Sequence, residues 1–346
     1  MSLQQRKSTE SIAEKIIKAV GKPTGYLSLL VLLVALAVPF FATNYILHIL
    51  ILVFITGIGA IAWNIIGGYG GQFALGNAVF YGFGAYSVAL LVNNYGQSFF
   101  VALAVGIVLS VLVAVLVGYP TFTLSGHYFA LATIAVVEGM LYLVLFFGDF
   151  TGGAIGQSVT PAPWLADIVG NRVIAFYIFF GIFLLSILVS TWVRYSKLGY
   201  YLLAIREDQD AAAALGVNTT RYKIYGFALS AAMTALAGGM YAIYGTYVSP
   251  SGAFSLDLSI QYALITLIGG MGTIVGPIVG TLFMVPIQQY VTTVLGGNLG
   301  SLAYIGYGVV LIVVIIYAPE GLVTRLSFVR AWIDNTLPEV KSDAED

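Results

Sequence analysis

Few residues in this sequence could carry chemistry, and they stand far apart. The two histidines, His48 and His127, have no second ligand near them in sequence; a lone histidine in an apolar stretch is more often a satisfied packing residue than a metal ligand. The absence of cysteine removes disulfides, thiolate metal sites and cysteine nucleophiles. The one Gly-Lys pair, Gly21-Lys22, runs into Pro23, so there is no G-x-x-x-x-G-K-S/T phosphate loop, and no G-x-S-x-G elbow occurs either. A process driven by ATP would need another chain to bind the nucleotide. What remains is one isolated carboxylate and three stretches rich in small residues.

The carboxylate is Glu138, eleven residues into an apolar stretch that starts at 127, about 16 Å along a helix and near mid-bilayer if that helix crosses a membrane. An ionisable group at such depth marks a pathway or a buried partner, or is protonated onto a backbone carbonyl. The first small-residue stretch reads Gly67-Gly68-Tyr69-Gly70-Gly71-Gln72-Phe73-Ala74-Leu75-Gly76-Asn77 and leads into Gly82-Phe83-Gly84-Ala85-Tyr86. Its glycines suit a tight cytoplasmic turn with a packing face, or an interrupted helix whose free backbone groups line a cavity. Gly68-Tyr69-Gly70 follows Ile66-Gly67, not Thr-Val, which argues against a potassium filter. The second stretch is Gly269-Gly270-Met271-Gly272-Thr273-Ile274-Val275-Gly276-Pro277-Ile278-Val279-Gly280. Gly272, Gly276 and Gly280 form one stripe, and Gly226, Ser230, Thr234 and Gly238 form another, a spacing that speaks for close helix packing before function. The candidate pathway residues are accordingly Gly70, Gly71, Gln72, Asn77, Glu138, Gly269, Gly270, Gly272 and Thr273. The third stretch contains Arg206-Glu207-Asp208-Gln209-Asp210-Ala211-Ala212-Ala213-Ala214-Leu215-Gly216. Asp208 suits the N-cap of a short helix and Gly216 its left-handed exit. Such a helix is either a plug for a soluble partner's groove or a solvated linker.

The elements that position these residues are dictated by composition. Charged residues make up 8% of the chain and hydrophobic ones 60%, against roughly 25% charged in soluble domains. No soluble core hides that much apolar surface, and a net charge of −1 leaves no basic surface for nucleic acid. No Asp, Glu, Lys or Arg occurs from 23 to 137 or from 258 to 319. The apolar runs are continuous, which predicts helices of about 20 residues and excludes an alternating barrel. Breaks at Gly, Pro and Asn divide them into about ten spans, roughly 26–42, 44–66, 72–95, 98–118, 127–147, 171–193, 222–247, 258–272, 276–295 and 301–318. The eighth is short enough to be re-entrant. The expected fold is thus an all-α, polytopic membrane protein with some helices interrupted and both termini cytoplasmic. Ten crossings put 13 of the 14 basic residues inside, in the amphipathic segment 1–25, the loop 194–223 and the tail 319–346, leaving Arg172 outside. Ile12, Ile16 and Ile17 among charges suit an interfacial helix, not a cleaved signal.

With these segments in view, the chain resembles the inner-membrane permeases of branched-chain amino acid ABC importers, and more closely the longer of the two paired subunits. The resemblance is carried by 68–86, by Tyr128-Phe129-Ala130 through Glu138, by Thr151-Gly152-Gly153, and by most of 197–283. Within the last, Ala204-Ile205-Arg206-Glu207, Ala214-Leu215-Gly216, Ser249-Pro250 and Gly269-Gly270-Met271-Gly272-Thr273 are typical. Ile155 stands where the family usually has Asp or Asn. The resemblance implies a transmembrane permease domain over 26–318, a second permease subunit, two cytoplasmic ATPase subunits holding ATP and Mg, and an extracytoplasmic binding protein. This chain itself would hold no cofactor and no catalytic site. Arg206, Glu207, Asp208, Ala211, Ala213, Leu215 and Gly216 would then form the ATPase-coupling loop. Related permeases carry urea, short amides or other amino acids. The rival class is a secondary transporter coupling ions through Glu138.

Overall fold

The computed structural model describes residues 34–122, 126–295, 308 and 321–325. The tenth expected span, nearly all of the two terminal segments and much of the first span therefore lie outside the described residues. The chain divides into two units, 44–322 and the remainder, in which residues 34–41 are helical.

The larger unit is built from helices. α1 (Asn44–Trp63) continues without interruption into a π-helical turn, Asn64–Tyr69. It is followed by α2 (Asn77–Tyr95), α3 (Phe99–Thr121), α4 (His127–Phe146), α5 (Arg172–Tyr195), α6 (Lys197–Glu207), α7 (Gln209–Ala214), α8 (Thr219–Gly245), α9 (Leu256–Gly270) and α10 (Val275–Leu295). Among the described residues the one strand pairing is two residues long, Gln157–Ser158 against Tyr247–Val248. Polar side chains mark the helix starts, where free N–H groups need acceptors: Ser98, Asn171, Ser196, Asp208, Asn218 and Ser255 each cap one.

Among the described residues six stretches are long and apolar enough to cross a membrane: Asn44–Tyr69, Phe99–Thr121, His127–Phe146, Arg172–Tyr195, Thr219–Gly245 and Pro250–Gly270. α9 alone has 15 residues, about 22 Å of helix, and reaches spanning length only with the short helix Pro250–Ala253 before it. The boundaries around the first glycine stretch differ from the sequence expectation. The helix expected to stop at 66 winds on to Tyr69, and the one expected from 72 starts at Asn77. Gly68 permits the first, because a Cβ there would lie 1.9 Å from the Asn64 side-chain oxygen folded over it.

Packing sorts the helices into centre and rim. α1 and α8 are 78% and 72% buried along their most apolar stretch, α3 and α4 only 22% and 17%. The small-residue stripes explain the closest approaches. The Gly226/Ser230/Thr234/Gly238 stripe of α8 meets α2, where a Cβ on Gly238 would lie 2.0 Å from the Tyr81 carbonyl oxygen. The α10 stripe meets α9 instead: a Cβ on Gly276 would lie 2.0 Å from the Gly270 carbonyl oxygen, and one on Gly280 2.0 Å from that of Ile265. Backbone contact at this range is available only to glycine.

Candidate functional site

The C-terminus of α5, helices α6 and α7 and the start of α8 gather Arg194, Lys197, Arg206, Arg221 and Lys223 into one basic end. There the two glycine stretches meet. Asn64, fully buried in the π turn, donates to the Thr273 carbonyl at 2.8 Å and accepts from the Gly272 N–H at 2.9 Å. One amide side chain thus satisfies both backbone groups freed where α9 ends and α10 has not yet begun. Arg206, from the last turn of α6, donates to the Gly68 carbonyl at 2.8 Å. Its side chain lies over two glycines: a Cβ on Gly272 would sit 2.2 Å from Nη1 and one on Gly71 2.9 Å from Cγ. Both glycines have positive φ, 79° and 64°. Tyr69 adds a 3.0 Å hydroxyl contact to Ser190 on α5. Arg206, assigned above to the coupling loop and exposed at this end, thus also joins the two helix breaks through its guanidinium.

From Gly70 to Gly76 the chain is not a tight turn but an extended climb back into the protein. Several of its backbone groups find partners across the fold. Gln72 N–H reaches the Ile66 carbonyl, Leu75 N–H the Thr133 hydroxyl at 3.0 Å, and Trp63 Nε1 donates to the Ala74 carbonyl at 2.6 Å. Ala78 N–H is taken by Ser259 at 2.9 Å. Asn77 donates to Ser230 and Thr234, which lie about 17 and 22 Å along α8 from its basic end, so α2 begins deep inside the unit. The Asn77 side-chain oxygen is buried without a partner. Gly70 and Gly76 lie within this climb, and Gln72 bonds back to the Gly70 carbonyl. Gly269 and Gly270 are packed against α10, a Cβ on Gly269 falling 1.8 Å from the Gly276 carbonyl oxygen, while Thr273 caps α10 through Gly276 N–H.

The loop 194–223 is folded as two helices with a sharp corner. Asp208 accepts from Asp210 and Ala211 N–H at 2.9 Å, and Gly216 leaves α7 at φ 87°, as cap and stop residues should. Ala212 is buried, whereas Glu207, Ala211, Ala213 and Leu215 face outward, Leu215 with 87% of its surface exposed. Lys223, buried under the corner, donates to the Gln209 side chain and lies 5.8 Å from the Phe122 ring centre.

Glu138 is half-buried on α4, next to Val137 and one turn beyond Thr133, both buried. It makes no hydrogen bond or ion pair with the described residues and belongs to neither the junction nor the cavity below; Leu131, Tyr142 and Phe146 of the same helix are exposed. At the end opposite the basic cluster, Arg172 and His48 both bond the Tyr244 hydroxyl, His48 at 2.6 Å, and the Tyr247 hydroxyl bonds the Ile155 carbonyl. His48 is a satisfied packing residue of the expected kind. In that half, α1, α2, α8, α9 and α10 surround a cavity of about 280 Å³ whose walls include Tyr81, Tyr262, Gln261 and Gln288. Neither Asn64 nor these four was singled out from sequence. The available signal was an amide or phenol, alone as in Asn64 or paired as in Gln261-Tyr262 and Gln288-Gln289, within an uncharged apolar run.

The family described as the permease component of the branched-chain amino acid transport system matches residues 45–317. The high-affinity branched-chain amino acid transport system permease protein LivM of Salmonella typhimurium is 30% identical over 315 residues, covering 84% of this chain and 73% of that protein. The probable branched-chain amino acid transport permease LivM of Methanocaldococcus jannaschii is 23% identical, over 79% of this chain and 82% of its own length. The permease LivH of Escherichia coli K12 is 31% identical over 102 residues, 30% of this chain and 32% of its own. No solved structure matches the chain at a significant level. The match spans both glycine stretches, the two-helix corner and the cavity walls, and the chain belongs to the permease-component family of branched-chain amino acid transport systems, on the side of its longer, LivM-type members.

Proposed function

We propose that this chain is the permease subunit of an ATP-driven importer for branched-chain or closely related hydrophobic amino acids. It pairs with a second, LivH-type permease subunit in the cell membrane, its basic end toward the cytoplasm. Two separate cytoplasmic ATPase subunits bind ATP and Mg, and an extracytoplasmic binding protein delivers the amino acid. The observation that carries this reading is the reach of Arg206 from the α6–α7 corner to Gly68 and over Gly272. The corner exposes a small apolar face at Ala211, Ala213 and Leu215, a shape that a groove on a soluble partner receives. Pressure on that face has a short bonded route, through the last turn of α6, to both helix breaks. Breaks of this kind absorb conformational change more readily than continuous helix does. Glu138 lies off that route and outside the cavity, which favours ATP over ion coupling as the energy source.

The test is Ala213→Trp in the assembled transporter. A bulky ring on the docking face should abolish retention of the ATPase on purification and reduce amino acid uptake at least tenfold, while the membrane-embedded subunits still assemble. Retention and uptake at wild-type levels would assign coupling to another surface. Uptake that collapses with an uncoupler and persists without ATP would replace the importer by a secondary transporter.

A further inference from the structure

We infer that the cavity between α1, α2, α8, α9 and α10 is a transient binding site for the amino acid inside the membrane domain, built to accept a net-neutral zwitterion with an apolar side chain. The inference rests on the importer reading above and adds where the solute is held and by which groups. Tyr262 and Tyr81 line the cavity with 1% and 6% of their surface exposed, and their hydroxyls have no hydrogen-bond partner among the described residues. A buried phenol normally finds a partner, because an unmet hydroxyl in an apolar surrounding is costly. Here both tyrosines stand in the wall of the same empty volume. Tyr262 is set there by Gly59 of α1: a Cβ at Gly59 would lie 2.2 Å from the ring, so only glycine leaves room for it.

The remaining polar side chains are all neutral, the hydroxyls of Thr56, Tyr241, Tyr247 and Ser249 and three glutamine amides. Gln261 and Gln288 bond each other across α9 and α10, and Gln289 lies beside them. No wall residue among those described carries a charge. A cation or anion entering such a space would lose its hydration with no counter-ion to meet it, a heavy penalty away from water. A zwitterion fares differently. Its ammonium donates to amide oxygens, its carboxylate accepts from amide N–H and phenol O–H groups, and glutamine offers both from one side chain. Leu52, Ile55, Leu258 and Val285 supply the apolar wall for an aliphatic side chain. Neutral dipoles also hold the solute weakly, which passage requires, since a site that binds too tightly does not release.

The experiment uses the complete transporter in proteoliposomes with radiolabelled leucine, and measures leucine moved per ATP hydrolysed. Tyr262→Phe and Tyr81→Phe each delete one oxygen, and Gln288→Met removes the amide at similar volume. Each should lower leucine moved per ATP about five- to tenfold, the weight of one lost hydrogen bond at a buried site, while ATP hydrolysis stimulated by the binding protein stays within about twofold of wild type. Wild-type stoichiometry in all three variants overturns the site and leaves the importer reading standing. A proportional fall of uptake and stimulated hydrolysis in all three also overturns it, because the groups would then support folding and not the solute. Leucine uptake by the wild-type protein that needs no ATP refutes the importer reading itself, before any variant is made.

Discussion

The two halves of the 44–322 unit treat polar groups in opposite ways. At the basic end the two helix breaks are tied together by side chains: Asn64 serves Gly272 and Thr273, and Arg206 serves Gly68. In the other half, Tyr81 and Tyr262 line a cavity, and their hydroxyls bond no described residue. Saturated polar contacts at glycine breaks make a joint that moves as a unit, because shifting one partner strands another in an apolar surrounding. Unsaturated groups around a cavity make a place that receives something. The difference separates transmission from holding within a single chain.

The largest expected effect comes from breaking the joint's frame. Gly276→Leu drives a side chain into the Gly270 carbonyl, from which even a Cβ would be 2.0 Å away. α9 and α10 would have to part, taking the Gly272 and Thr273 contacts with them. The expected result is loss of assembled protein in detergent, read by size-exclusion chromatography. A well-assembled variant with altered substrate preference would assign that stripe to the solute path.

Arg206→Ala probes the joint without touching its frame. Deleting a charge-assisted bond to a carbonyl costs roughly 1.5–3 kcal/mol of the linkage, which corresponds to about a ten- to hundredfold loss of coupling. Uptake should fall by that factor while assembly and ATPase retention persist, so that retention separates this variant from Ala213→Trp. If stimulated hydrolysis and uptake both stay normal, the guanidinium is a local staple and the two halves communicate by another route.

Glu138→Gln should do least. The carboxylate lies on α4, a rim helix 17% buried along its most apolar stretch, without a described partner and outside both the joint and the cavity. Uptake within about twofold of wild type is expected, since the amide keeps the shape and replaces a carboxyl that makes no hydrogen bond with a described residue. A tenfold loss in liposome uptake would place a third functional region on the exposed face of α4 and would reopen the ion-coupled reading.

Much of this was legible from the order of residues. Continuous apolar runs without charge required helices in a bilayer, because backbone N–H and C=O groups there have no water to bond. Asp208 and Gly216 marked the ends of α7 because capping and left-handed exit are local events, settled within four or five residues. The stripe at 226–238 and the Gly276/Gly280 part of the second announced close packing because small residues four apart share one helix face, whereas Gly272 falls in the break before α10. Partners, however, are not written in a stripe. That the α8 stripe takes α2 and the α10 stripe takes α9 depends on residues more than a hundred positions apart in the first case and on a hairpin in the second. The same limit hid Asn64, whose meaning lies 208 residues away at Gly272, and Arg206, which reads as a surface charge until the fold brings it over Gly68. The cavity was least legible of all. Tyr81, Tyr262 and Gln288 are ordinary members of their helices, and only the convergence of five helices leaves their polar atoms facing one empty volume, because a cavity belongs to the space between elements and no single segment encodes it.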